Sequence, residues 1–173
     1  MELTTLYIIP IESPIGILHA GASENGICFI HFAVDKQVDP DTIPFASDFK
    51  DLVSIQKNVH LETLTRQLEA YFDGRLHRFD IPLQIPWGTE FQHKAWAVLN
   101  SIPYGQTISY QEQARRLGNI NAVRAVAGAN NRNPIPIVRP CHRVIGKNGS
   151  LTGFGGGLWR KQYLLDQEQR HKK

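Results

Sequence analysis

The stretch Ile81-Pro82-Leu83-Gln84-Ile85-Pro86-Trp87-Gly88 constrains this chain most. Two prolines within five positions fix φ and push their predecessors to extended backbone, so neither a helix nor a central strand runs through it. The charge changes sign at the same place. Residues 1–90 hold 6 Lys and Arg against 13 Asp and Glu, a balance of −7. Residues 91–173 hold 13 against 3, a balance of +10. A chain of 173 residues suffices for one ordinary domain or two small ones. The break favours two, spanning 1–86 and 87–173. The basic half suits a polyanion such as nucleic acid; a solvated basic face without a partner is the alternative reading.

Other classes are excluded by simpler features. With 42% hydrophobic and 20% charged residues, the chain is neither disordered nor collagen-like. No apolar run approaches the ~18 residues that span a bilayer, so no membrane partner is expected. The opening MELTTLYIIPIESPIG has no basic start, and Pro10 and Glu12 interrupt its apolar run. It does not read as a secretory signal. The expected location is the cytoplasm, or the nucleus in a eukaryote. The two cysteines, Cys28 and Cys141, then read as reduced thiols rather than a disulfide.

Strand signals open the first half: Thr4–Ile9 and Ile15–Ala20 around a Ser13-Pro14 turn, then Gly26–Phe32 after a hairpin-type connection. A polar Asp/Pro segment covers 35–48. Leu61, Leu64, Leu68 and Phe72 have helical spacing, and Gly74 is a natural stop. The expectation is a small antiparallel sheet with helical cover.

The second half reads as mostly helical. Phe91–Leu99 is amphipathic. Ser109-Tyr110-Gln111-Glu112 is a capping box opening a helix that runs to Gly118. A Gly118-Asn119-Ile120 turn leads to a second helix, with Asn121 as its expected N-cap. Two helices across such a turn resemble a helix-turn-helix. The second consists of small residues, Ala122, Val123, Ala125, Val126, Ala127, Gly128 and Ala129, with Arg124 projecting. It offers almost nothing to read base edges in a major groove. It suits close approach to a minor groove, where a wedge can extrude a base. Tight packing of small residues against the protein is the other reading, and both can hold on opposite faces.

Chemistry concentrates in Asn133-Pro134-Ile135-Pro136-Ile137-Val138-Arg139-Pro140-Cys141-His142-Arg143-Val144. Three prolines stiffen the backbone into Cys141, as a preorganised nucleophile requires. His142, Arg139 and Arg143 flank it, a pattern expected to lower the thiol pKa. A buried structural cysteine is the alternative; the Pro-Cys-His-Arg run favours the nucleophile.

Pro140-Cys141-His142-Arg143-Val144 resembles the signature of the O6-alkylguanine-DNA alkyltransferases, the methylated-DNA–protein-cysteine methyltransferases. The likeness runs over about residues 91–168 and includes Ile108-Ser109-Tyr110-Gln111, Ala122-Val123-Arg124-Ala125-Val126, Asn133-Pro134 and Gly155-Gly156-Gly157-Leu158. Residues 4–32 resemble the family's N-terminal sheet domain more loosely. The resemblance implies an α/β protein: a ribonuclease-H-like N-terminal domain with a small antiparallel sheet and helices, and a mostly helical, winged-helix-like C-terminal DNA-binding domain. It implies binding of alkylated double-stranded DNA at the minor groove by a monomer. The base is flipped out, and the alkyl group of O6-alkylguanine, with O4-alkylthymine as a second candidate, passes to Cys141 once and irreversibly.

By the same resemblance, His142 deprotonates Cys141 through a water, Glu168 orients His142, Tyr110 supplies a proton to the leaving base, and Asn133 is the hinge before the reactive segment. Arg124 fills the hole left by the flipped nucleotide. Tyr110, Gln111, Asn119, Ala125 and Ala127 join it on DNA. Val144, Phe154, Gly155, Gly156 and Asn130 wall the base pocket. No cofactor is implied.

Relatives that bind zinc in the N-terminal domain use Cys and His ligands. Here a strand places Cys28 and His31 on opposite faces, and a zinc site needs about four convergent ligands, so none is expected. Two other readings compete: a module that recognises damage and recruits a partner, and a cysteine hydrolase with a Cys-His-Glu triad. The hydrolase has no use for a minor-groove helix.

Overall fold

The computed structural model describes residues 5–43, 45–54 and 58–173. The chain divides into two compact units, Met1–Pro86 and Trp87–Lys173. Among the described residues no helix is long and apolar enough to cross a membrane.

The first unit is built on a four-stranded sheet in the order β3-β2-β1-β4. Strands β1 (Thr5–Ser13), β2 (Gly16–Ala22) and β3 (Ile27–Phe32) are antiparallel neighbours. Thr4 lies outside the described residues. β1 extends past the expected Ile9 and carries Pro10 within it. β2 pairs with β1 along its whole length, but β4 meets it only from Thr5 to Ile8. Pro10 thus sits beyond the β4 pairing, where a missing N–H breaks no ladder on that side. The ring of Phe29 fills the place where a Cβ on Gly21 would stand, so only glycine fits there. The strand β4 (Asp51–Ser54) runs parallel to β1 and was not expected. Four residues behind a Pro- and Asp-rich connection have no periodicity to reveal them.

Helix α1 (Val59–Phe72) covers this sheet. Asn58 caps it, its Oδ1 accepting from the N–H groups of His60 and Leu61, a cap of about 0.5–2 kcal/mol. The buried face is Leu61, Leu64, Leu68 and Tyr71. Tyr71 closes the stripe in place of the expected Phe72, which is half-buried.

The second unit contains α2 (Glu90–Leu99), α3 (Tyr110–Arg116), α4 (Val123–Asn131) and α5 (Leu158–His171). A Thr89–Gln92 capping box starts α2. At α3 only half of the expected box forms. Ser109 Oγ accepts from Glu112 N–H at 3.0 Å, but the Glu112 carboxylate turns to Arg115 and Arg116. Two cations one turn ahead outcompete a single backbone N–H. The expected N-cap Asn121 is also displaced. Ala122 precedes α4 without a side-chain cap, and Asn119 Oδ1 instead accepts from Asn121 N–H at 3.1 Å.

Small residues on α4 let neighbouring helices close in. Trp96 Nε1 donates to the Ala129 carbonyl at 2.8 Å. A buried amide pair joins α3 to α4: Gln113 Nε2 donates to Asn130 Oδ1 at 3.0 Å, and Asn130 Nδ2 returns to Gln113 Oε1 at 2.7 Å. Gln113 Nε2 also donates to the Ala95 carbonyl, bringing in α2. The short parallel pair β5 (Ile108–Ser109) and β6 (Val144–Ile145) then sets the start of α3 beside the segment that follows Cys141.

Candidate active site

Cys141 follows a segment braced by Pro134, Pro136 and Pro140. Cys141–Arg143 forms a single tight helical turn, and Cys141 is 7% exposed. The segment holds itself in place by local bonds. Asn133 Nδ2 donates to the Arg139 carbonyl at 2.9 Å, and its Oδ1 accepts from Ile135 N–H at 3.1 Å. Ile137 adopts φ 74° while buried, a left-handed conformation that a β-branched residue takes only under constraint.

Beside the thiol lies a buried charge cluster. His142 Nε2 faces Glu168 Oε1 at 2.7 Å. Glu168 also accepts from Arg143 Nε at 2.9 Å, Arg143 Nη2 at 3.0 Å and Gly105 N–H at 3.0 Å. Arg143 Nη1 donates to the Ile102 carbonyl. All three side chains are buried. An ionised carboxylate only accepts, so Nε2 carries the proton of a neutral His142 ring and Nδ1 holds the lone pair. That Nδ1 is buried and has no hydrogen-bond partner among the described residues.

Protonation states follow from this packing. Burial pushes the Glu168 carboxyl up, but the bonds and charges of His142 and Arg143 outweigh it and hold it well below the usual range. Burial lowers His142, against the pull of Glu168, so the ring rests neutral. Burial raises the Tyr110 phenol, which therefore stays protonated. Burial also raises the Cys141 thiol, and the bond from Asn133 and the charge of Lys161 offset this only in part. This corrects the expectation that the flanking arginines depress it. Arg143 is committed to Glu168, and the Arg139 guanidinium lies over the Trp96 ring. Neither is a cause of the thiol's shift. At rest Cys141 is a neutral thiol, next in the chain to a neutral imidazole.

Tyr110 is the first residue of α3 and is 9% exposed. Its hydroxyl donates to the Thr152 carbonyl at 2.7 Å. Behind it stands Lys161, fully buried, with Nζ donating to the Val144 carbonyl at 2.6 Å, the Thr152 carbonyl at 2.9 Å and the Tyr110 hydroxyl at 3.3 Å. Burial lowers its ammonium to about 8. Sequence reading missed Lys161. The available signal was its place on α5 one and two turns before Leu164 and Glu168, on the face those residues bury.

The remaining expected residues fall into three groups. Val144 and Gly156 are buried, Phe154 is half-buried and Gly155 exposed; of these, Val144 meets Lys161 through its carbonyl. A Cβ at Gly155 would meet only the Asn131 carbonyl, at 3.9 Å. Arg124, Ala125 and Asn119 are exposed, and Gln111 and Ala127 half-buried, on and before α4. Asn130 is buried and bonded through both ends of its amide to Gln113, so it braces α3 against α4. Among the described residues no three His, Cys, Asp or Glu side chains form a group able to hold a metal ion.

Two family models cover nearly the whole chain. Residues 5–85 match the ribonuclease-like domain of 6-O-methylguanine DNA methyltransferase, and residues 90–170 match its DNA binding domain. The chain belongs to the O6-methylguanine-DNA methyltransferase family. A methylated-DNA–protein-cysteine methyltransferase of Methanosarcina acetivorans is 44% identical over 165 residues, 94% of this chain and 98% of that one. The crystal structure of a Mycobacterium tuberculosis O6-methylguanine methyltransferase has a TM-score of 0.81 at 37% identity, covering 97% of this chain and 95% of that one. A Mycobacterium tuberculosis OGT in complex with DNA has a TM-score of 0.80, also at 37% identity. This methyltransferase is therefore a DNA-repair protein that moves an alkyl group from DNA to a cysteine.

Proposed function

We propose that Cys141 is the acceptor, that the substrate is O6-alkylguanine flipped from duplex DNA, and that each molecule acts once. The observation that carries this reading is the bond between Glu168 and His142 Nε2. It leaves the Nδ1 lone pair of a neutral ring, on the residue next to Cys141, as the base. The Sγ proton passes to His142 Nδ1 through a water. Sγ then attacks the alkyl carbon in line, a C–S bond forms, and the C–O6 bond breaks with its electron pair leaving on guanine. The guanine anion takes a proton from the Tyr110 hydroxyl, and the Lys161 ammonium behind it stabilises the phenolate. Before that step Tyr110 must release the Thr152 carbonyl.

DNA lies along α4 in the minor groove, held by a monomer of the protein. Ala125 and Ala127 admit the backbone closely, Gln111 and Asn119 add polar contacts, and Arg124 enters the stack. Arg124 is exposed on α4. The wall formed by Val144, Phe154, Gly155 and Gly156 receives the base. The test is reaction of the protein and its Cys141→Ala variant with duplex O6-methylguanine DNA, followed by peptide mapping. The methyl group is expected on the Cys141 peptide and absent from the variant, which still binds DNA. Label elsewhere, or retained in the variant, refutes the assignment.

A further inference from the structure

The first unit holds a pair of histidines that the repair chemistry does not use. His19 on β2 and His31 on β3 are directly opposite in the antiparallel register, so both rings leave the same face of the sheet. Their centroids are 5.2 Å apart and their planes nearly perpendicular. His19 is 2% exposed, and its Nε2 contacts the Asp35 carbonyl at 3.0 Å. A carbonyl only accepts, so that nitrogen carries the proton and Nδ1 the lone pair. The Nδ1 atoms of both His19 and His31 are buried without a hydrogen-bond partner. An imidazole that donates one N–H to a backbone carbonyl, with its other nitrogen left as a bare acceptor, is the arrangement by which proteins orient metal-binding histidines. Two imidazoles on one tetrahedral ion, with metal–nitrogen bonds of about 2.0–2.1 Å, place their ring centroids roughly 5 Å apart.

Both rings line a cavity of about 480 Å³, together with Asp35, Gln37 and Asp39. We propose that His19 and His31 form a two-histidine site for a divalent transition-metal ion in this cavity. The two imidazoles are the fixed ligands, and water takes the remaining positions. Imidazole with oxygen ligands suits zinc, nickel or copper(II) and, as a probe, cobalt(II). Cys28 takes no part: it does not line this cavity, and its Sγ turns to the Gly26 carbonyl at 3.6 Å. The expectation of no metal rested on that Cys28–His31 pair; the cross-strand partner of His31 could not be known before the register was.

The test is titration of the full, chelator-stripped chain with Co²⁺. One ion per chain is expected, with visible d–d bands and no thiolate-to-cobalt charge-transfer band. Added Zn²⁺ should raise the thermal midpoint by mass action. His31→Ala and His19→Ala should each abolish binding, and Cys28→Ser and Cys141→Ser should leave it intact. His31 is half-exposed, so His31→Ala decides the matter if His19→Ala fails to fold. Absence of bound ion, a thiolate band, or binding retained by a folded His31→Ala protein overturns the proposal.

Discussion

Replacing Glu168 by Gln removes the negative charge that faces Arg143 and His142. Among the described residues Glu168 is the only acid bonded to Arg143 or His142, and it accepts four hydrogen bonds within 3.0 Å. The amide must turn its NH₂ toward either the guanidinium or the imidazole N–H, setting donor against donor. Stranding a buried charge in this way costs about 3–5 kcal/mol. For a chain of this size that is a fall in thermal midpoint on the order of 10 °C, taking about 2–4 °C per kcal/mol. The ring of His142 also loses the partner that fixes its tautomer, so alkyl transfer should slow by roughly 10²–10⁴-fold, the usual range for general base catalysis. Single-turnover kinetics on a methylated duplex, with urea unfolding of the same sample, reads both effects. Arg143→Met added to Glu168→Gln removes the stranded cation, so the double variant should be more stable than the two single losses summed. Strictly additive losses, or a Glu168→Gln protein with unchanged rate and stability, would refute the reasoning.

Three further outcomes are expected. Arg124→Ala should slow repair of duplex DNA at least about tenfold yet leave reaction with the free base O6-benzylguanine nearly unchanged, since a free base needs no flipping; equal losses in the two assays would make Arg124 structural. Lys161 has its ammonium at about 8 in the folded protein, below its ordinary value, so between these values the unfolded chain binds more protons and folding gains stability as pH rises. The stability of the protein minus that of Lys161→Met should therefore be flat below pH 7 and climb from pH 8 to 10; a flat difference throughout removes the buried cation from the account. Ile137 sits at φ 74°, so Ile137→Gly should be more stable than Ile137→Ala by about 1 kcal/mol in urea unfolding, the reverse of the usual order.

The parts of this molecule legible in its sequence were those written locally. The Pro82–Gly88 break, the α1 stripe and the Gly74 stop depend on neighbours within one or two turns. So does the braced backbone before Cys141. What escaped depends on partners far along the chain. Whether Arg143 lowers the thiol or binds Glu168 is decided by a residue 25 positions away. The amide pair of Gln113 and Asn130 joins residues 17 positions apart, and nothing near either one discloses the other. Lys161 looked like any lysine on a polar helix until β6 and the Thr152 loop folded over it. β4 is four residues long and finds its partner 46 positions back, with no alternation to mark it. The His19–His31 pair is likewise a product of register.

The central claim is that Cys141 accepts one alkyl group and keeps it. A thioether has no carbonyl for water to attack, and a thiolate is a poor leaving group from carbon, so no hydrolytic route restores the thiol. The most direct measurement incubates the protein with a large excess of O6-methylguanine duplex and counts repaired bases per protein molecule by intact mass and by loss of the lesion. One repaired base per chain is predicted, with the mass of a single methylene added at Cys141, none at Cys28, and no release by added thiols. Repair that continues beyond one base per chain contradicts the account.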